Sequence, residues 1–381
     1  MRTSGPVWRT IGLYVGLTVS VFAQTIPQLE STARERLAAK DAAGALAAYE
    51  KLAALVPNSA AYQDEIGFLL AATNRSAQAI PYFRRATELD PQLAQAWYHL
   101  GAALALTKET KSAIADLQKA VALAPGRADY RDHLALAWAT LGDSYEQQRH
   151  YKEARDAYRQ SLALNPNNDL ARTSYGNALV RSGDPAAGMK EFRTVFQHDP
   201  KNLQVQVNIG FAYIGLGDFK SAIEHLTTVI RDHPDDAGAH YDLGIAYKET
   251  DDIARARTEL ERAVALDPTL AEAHYSLALT YTDEPDKAIE QLRAAVAQRP
   301  DYIDAWYMLG TTLQQQGDAK GAIEALRKSV GLDGLNAGAW NNLGLLLRRT
   351  GDKPGSDAAF AKAAEIRKAE ELEKEKALSK H

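Results

Sequence analysis

The sequence has no cysteine, so disulfides, thiolate metal centres and a cysteine nucleophile are excluded together. It has no phosphate-binding glycine loop, no His-Glu-x-x-His helix and no nucleophile elbow, and neither a cofactor nor a metal is expected. Long apolar runs are missing too, apart from Ile11 to Phe22, which is shorter than the roughly 20 residues of a membrane-spanning helix. Arg2 and Arg9 precede that run, and Val21-Phe22-Ala23 followed by Gln24 closes it. This is the pattern of a secretory signal peptide, residues 1–23, cut between Ala23 and Gln24; an uncleaved anchor is the alternative. The mature chain is expected to be exported, periplasmic or extracellular, with no membrane span. Positive charge is in the minority, 44 Lys and Arg against 49 Asp and Glu, and losing Arg2 and Arg9 takes the net charge from −5 to about −7. A nucleic-acid partner does not fit that balance.

What is present is apolar enough to fold, at 46% apolar and 24% charged residues. A chain of 381 residues is longer than one ordinary core, so an internal repeat is the first thing to test. The prolines supply one. Pro57, Pro91, Pro125, Pro166, Pro200, Pro234, Pro268 and Pro300 are separated by 34, 34, 41, 34, 34, 34 and 32 residues, and a further 34 reaches Gly334, another helix breaker.

Aligned on those breakers, the first half of each unit shows Trp97, Leu100, Gly101 and Leu104, or Trp306, Leu309, Gly310 and Leu313, or Trp340, Leu343, Gly344 and Leu347. Offsets of three, four and seven mark one helical face. The second half carries small, large and small residues, as in Ala79, Phe83 and Ala86, or Ala154, Tyr158 and Ser161, or Ala322, Leu326 and Ser329. Small residues at crossing points let two helix axes approach while large ones fill the grooves beside them, and the Trp rings are expected to be core knobs. Gly-Asp pairs at 183–184, 217–218, 317–318 and 351–352 end one helix and start the next.

Trp138, Leu141, Gly142, Tyr145, Ala154, Tyr158 and Pro166 together resemble the tetratricopeptide repeat, W-x2-L-G-x2-Y…A-x3-F…P. The resemblance implies an all-α fold, a right-handed superhelical α-solenoid of about ten helix-turn-helix repeats. Residues 24–59 then form a divergent amino-terminal capping repeat, 60–370 the array and 371–381 a charged helical tail. The 41-residue interval holds an extra heptad near 128–134. Leu134, Ala135 and Trp138 repeat the spacing of Leu141, Gly142 and Tyr145, so the first helix there is expected to be prolonged in phase, either as a tolerated insertion or as a bend. The 32-residue interval is expected to contain a shortened, tight turn near 282–286.

With the repeats assigned, no segment is left for a catalytic domain, and the chain is expected to be no enzyme. The family resemblance implies a concave groove lined by first helices, where partner proteins or peptides lie. Phe68, Tyr98, Phe211, Tyr241, Tyr275 and Tyr307 would face it, either as grips or as consensus filler. Asn177 and Asn208 match the two amides of the family's carboxylate clamp, but Thr173, Gly238 and Asp242 stand where its basic residues belong, so capture of an acidic carboxy terminus does not follow. His240 and His274 hold the Trp position and are read as ring fillers rather than metal ligands. The expected function is a protein-interaction scaffold. The alternatives are a structural adaptor of an envelope or secretion assembly, or a non-catalytic subunit of an enzyme complex such as a glycosyltransferase.

Overall fold

Good helix formers broken at regular intervals leave little but helices. The computed structural model describes residues 25–378; the signal pattern and its Ala23–Gln24 cleavage point lie outside the described residues. The chain divides into two compact units between Asp184 and Pro185. In the first, residues 25–38 form α1. After it come α2 (Ala42–Leu55), α3 (Ala60–Ala72), α4 (Ser76–Leu89), α5 (Ala94–Leu106), α6 (Thr110–Leu123), α7 (Ala128–Gln147), α8 (Tyr151–Leu164) and α9 (Asp169–Arg181). The second holds α10 (Pro185–His198), α11 (Leu203–Gly215), α12 (Phe219–Asp232), α13 (Ala237–Glu249), α14 (Ile253–Leu266) and α15 (Ala271–Ala278), followed by α16 (Pro285–Gln298), α17 (Ile303–Gln315), α18 (Ala319–Leu332), α19 (Ala337–Arg349) and α20 (Lys353–Leu378).

The described residues thus hold twenty helices and no strand, in sequence ten successive pairs. Within each unit a first helix packs on its own second helix and on the first helix of the next pair. Thus α3 meets α4 and α5, and α5 meets α6 and α7; in the other unit α11 meets α12 and α13, and α17 meets α18 and α19. This is α-solenoid stacking, in which each pair buries a face only its neighbours can cover. No helix among the described residues is long and apolar enough to cross a membrane.

The turns follow from two local rules. Inside a pair, one residue takes a left-handed conformation, as at Gly217 (φ 72°) and Gly317 (φ 82°), and the next Asp caps the following helix. Asp218 Oδ1 accepts from the Ser221 N–H at 3.1 Å and Asp318 Oδ1 from the Gly321 N–H at 2.9 Å. Lys40, Asn74, Lys108, Arg149 and Asp251 hold the same conformation without being glycine, at about 1 kcal/mol each. Between pairs, proline forces the residue before it out of the helical region: Asp90 has φ −135°, ψ 91° and Asp267 φ −130°, ψ 92°. Their carboxylates accept the N–H groups of Gln92 and Thr269, both at 2.9 Å, which explains Asp ahead of Pro.

Packing within a pair is set where the first-helix glycine crosses the second helix. A Cβ on Gly67 would stand 2.6 Å from the Phe83 ring, on Gly142 2.6 Å from Tyr158, on Gly210 2.4 Å from Leu226 and on Gly310 2.7 Å from Leu326. Phe83, Tyr158, Leu226 and Leu326 are all buried.

Two pairs depart from the pattern. The first helix α7 has 20 residues where α5 and α9 have 13. In the 32-residue interval the helix, not the turn, is shortened: α15 has 8 residues, and the connection to α16 covers residues 279–284 rather than a tight loop. The cause is local. Pro285 stands in the first turn of α16 and keeps Glu284 out of the helical region, at φ −129°, ψ 63°. From α14, Arg257 donates to the Thr280 carbonyl and Glu261 accepts from the Tyr281 hydroxyl at 2.7 Å, so the connection has its own partners.

The crossing contact yields a paired expectation. Gly142→Ala should cost about 1 to 3 kcal/mol by overpacking. Gly331→Ala, inside α18 with nothing within 4 Å of the added carbon, should gain about 0.5 to 1 kcal/mol from helix propensity. Urea unfolding midpoints of the two variants moving the same way would contradict the assignment.

Candidate functional site

The Trp position turns out to be a clamp on the turn between pairs rather than a core knob. The indole N–H groups of Trp97, Trp306 and Trp340 donate to the carbonyls of Pro91, Pro300 and Gly334 at 3.0, 2.8 and 3.0 Å. Each ring is only half-buried, because its nitrogen must stay within reach of a surface turn. Other residues do the same work at the same place. Gln206 donates to Pro200 O at 2.8 Å, and Arg172 to Pro166 O. His240 and His274 donate through Nε2 to Pro234 O and Pro268 O at 3.0 and 3.1 Å. Their Nδ1 atoms lie 2.7 Å from Glu259 and Gln291 oxygens, so both nitrogens of each ring are spent inside the protein.

The first-helix residues expected to face a groove form rungs between neighbouring elements of the stack. In the first unit Tyr98 stacks on the buried Tyr130 at 4.3 Å, and its hydroxyl lies 3.3 Å from His133 Nδ1. Phe68 sits against His99 at 5.3 Å and stays 45% exposed. Asn177 is half-buried on α9. In the second unit the Tyr307 hydroxyl accepts from Asn342 at 3.3 Å, and Tyr275 meets Tyr302 at 5.0 Å. Burial, with Asp242 next to it, holds the Tyr241 hydroxyl well above its ordinary range, and burial pushes Tyr302 up to about 12. Phe211 is half-buried. Asn208 is buried; its Oδ1 accepts from Gln204 at 3.0 Å, while its Nδ2 has no hydrogen-bond partner.

The sequence reading missed Asp64, His99, Tyr302 and Arg299. Asp64 is buried, 2.8 Å from His99 Nδ1, and its other oxygen accepts from Gln95 at 3.1 Å. The signal was available: a carboxylate amid apolar residues of one first helix, and a histidine 35 residues later. Arg299 lies 3.1 Å from the centre of the Tyr302 ring and pairs with Glu272. Beside the first-unit rungs a cleft of about 330 Å³ opens between α5 and α7, lined by Ala102, Leu106, Leu117, His133, Leu136 and Thr140. Leu106 and Leu136 are 72% and 61% exposed there. The face therefore combines exposed apolar side chains with a few fixed polar groups.

Models of tetratricopeptide repeats match residues 60–93, 92–167, 213–280, 276–337 and 307–371. A further model, the cytochrome c-type biogenesis protein H TPR domain, matches residues 132–231. Among solved structures, a MamA crystal structure is 30% identical, over 43% of this chain and 97% of that one, with a TM-score of 0.41. A thermophilic TPR protein of Thermus thermophilus is 22% identical over 47% and 99%, at 0.44. The human IFIT1 dimer with PPP-AAAA is 18% identical over 88% and 89%, at 0.45. Curated proteins offer no match to the chain.

One electrostatic consequence is measurable on this face. Burial and then the Asp64 carboxylate raise the Glu65 carboxyl above its ordinary value, partly offset by His99. A carboxyl raised on folding disfavours the folded state once pH exceeds the ordinary glutamate value. Glu65→Gln should therefore raise the unfolding midpoint at pH 7, with the gain vanishing as pH falls below the ordinary glutamate value. A gain that persists at acid pH would show that charge is not its origin.

Proposed function

Because the chain belongs to the tetratricopeptide repeat family, whose members generally mediate contacts between proteins and are generally non-catalytic scaffolds, we propose that it is a non-enzymatic scaffold holding segments of partner proteins on its first-helix face. The cleft between α5 and α7 carries this reading. Single exposed leucines are ordinary, but Leu106 and Leu136 flank a 330 Å³ recess on neighbouring first helices, and Phe68 continues the apolar surface on α3. Apolar side chains of a peptide or an amphipathic helix enter such recesses as anchors.

In the second unit the Asn208 Nδ2 is closed off from solvent, so the tyrosines are what offer surface there. Tyr241, Tyr275 and Tyr307 then serve twice, as rungs and as aromatic surface. The signal pattern supports an activity outside the cytoplasm, and the net negative charge disfavours nucleic acid. The match of residues 132–231 to a cytochrome c-type biogenesis domain supports one further reading, an adaptor within an envelope assembly.

The test is photo-crosslinking from position 140, on the lining of the same cleft, in the full-length protein, with captured peptides identified from the exported fraction. Leu106→Glu combined with Leu136→Glu should lower capture at least about tenfold, a change of about 1.4 kcal/mol, at unchanged helicity. Undiminished capture would move the site off this face. The intact mass of the exported protein should begin at Gln24; a mass retaining residues 1–23 would contradict cleavage.

A further inference from the structure

The seven extra residues do more than lengthen α7: they release a tryptophan. At seven breakers the residue six positions downstream, which holds the Trp position, donates to the breaker's carbonyl, Trp97, Trp306 and Trp340 among them. Trp138 holds this position in its own repeat, but Pro125 is thirteen residues back, and the residue six back, Asp132, lies inside α7. The Trp138 indole N–H consequently has no hydrogen-bond partner among the described residues. The half-buried ring instead lines a cavity of about 460 Å³ on the second-helix side of the first unit, with Lys111 from α6, Tyr145 from α7, and Glu153, Asp156 and Gln160 from α8 around it. This is not the first-helix face, and the inference does not depend on the reading given for that face.

We propose that this cavity is a second binding site, taking an arginine side chain of a partner polypeptide between Trp138, Tyr145 and Glu153. Two observations select that chemistry. One acceptor is unclaimed: Asp156 is shared by Arg155 and Arg159, each at 3.2 Å, whereas Glu153 is exposed and has no partner among the described residues. The same combination recurs within this protein. Arg127 lies 4.4 Å from the Tyr130 ring and forks onto Asp129 at 2.9 and 2.7 Å. Arg257 lies 4.7 Å from the Tyr281 ring and donates to Glu284 at 2.9 Å. A planar guanidinium can lie on the rings and fork onto a carboxylate at once, which a compact ammonium cannot. The Trp138 N–H is left to donate to a main-chain carbonyl of the same partner.

The indole N–H resonances of the full-length protein report directly on this site. N-acetyl-arginine amide should move the Trp138 resonance and leave those of Trp97, Trp306 and Trp340 in place, because their N–H groups are held by carbonyls. N-acetyl-lysine amide and N-acetyl-tyrosine amide should bind at least about threefold more weakly. Glu153→Gln, an exposed substitution whose folding the Trp97, Trp306 and Trp340 resonances monitor, should weaken the arginine response about fivefold. The proposal is overturned if Trp138 does not respond, if the Trp97, Trp306 and Trp340 resonances move with it, if the lysine or tyrosine amide binds as well, or if Glu153→Gln leaves the arginine response unchanged.

Discussion

The distance between the two helices of a pair depends on one contact, a first-helix glycine against a large side chain sixteen residues later. Gly67 with Phe83, Gly142 with Tyr158, Gly210 with Leu226 and Gly310 with Leu326 all place the large atoms where a Cβ would be. With no side chain between them the axes approach closely, and the large group fills the groove beside the crossing. Everything else in the repeat is arranged to bring those two positions together: a short turn with one left-handed residue, an Asp cap, and a proline that ends the second helix on schedule.

Close pairing then dictates what the first helices can do. Their apolar stripe is consumed by the second helix, so their remaining faces meet the next first helix through larger, partly polar groups: Tyr98 with Tyr130 and His133, Asp64 with His99, Tyr307 with Asn342. Such rungs fix neighbouring first helices, and Tyr98, His99 and Tyr307 remain half-buried along one edge. The proposed binding face is the unburied side of a structural contact, so grip and filler are not competing descriptions of these tyrosines.

Most of the fold was legible because its determinants are local. Proline spacing marked the ends of second helices, and glycine with its Leu neighbour marked the crossings. Features that depend on reach across space were not legible. The Trp rings looked like core because tryptophan is large and apolar, yet their nitrogens reach back six residues to a turn carbonyl, and that bond holds them at the surface. Gln206, His240 and His274 show that the position selects a donor of sufficient length rather than an aromatic ring. Asp64 and His99 escaped notice because each alone is an ordinary polar residue; only stacking makes them a pair. The cleft beside Leu136 was hidden for the same reason, since it lies between helices of different length.

The two irregular intervals show why an addition and a deletion have different outcomes. Seven residues turn a straight helix to within about 20° of two full turns, so an insertion of that length keeps its stripe on the same face, and Leu134, Ala135 and Trp138 rise beneath Leu141, Gly142 and Tyr145. Removing two residues would instead rotate the helix by about 200° and put its stripe in solvent. The chain avoids this by leaving the helix just after Ala278, once the crossing residues Leu277 and Ala278 are buried. It then returns Tyr281 to the core as part of a loop held by Arg257 and Glu261. The deletion is thus absorbed by partners and leaves nothing free. The insertion preserves Trp138's direction but carries it about 10 Å along the axis, at 1.5 Å per residue, beyond the reach of any breaker carbonyl. Phase is conserved and the clamp is lost, so an in-phase heptad leaves the fold intact while releasing a ring and an N–H that Trp97, Trp306 and Trp340 keep occupied.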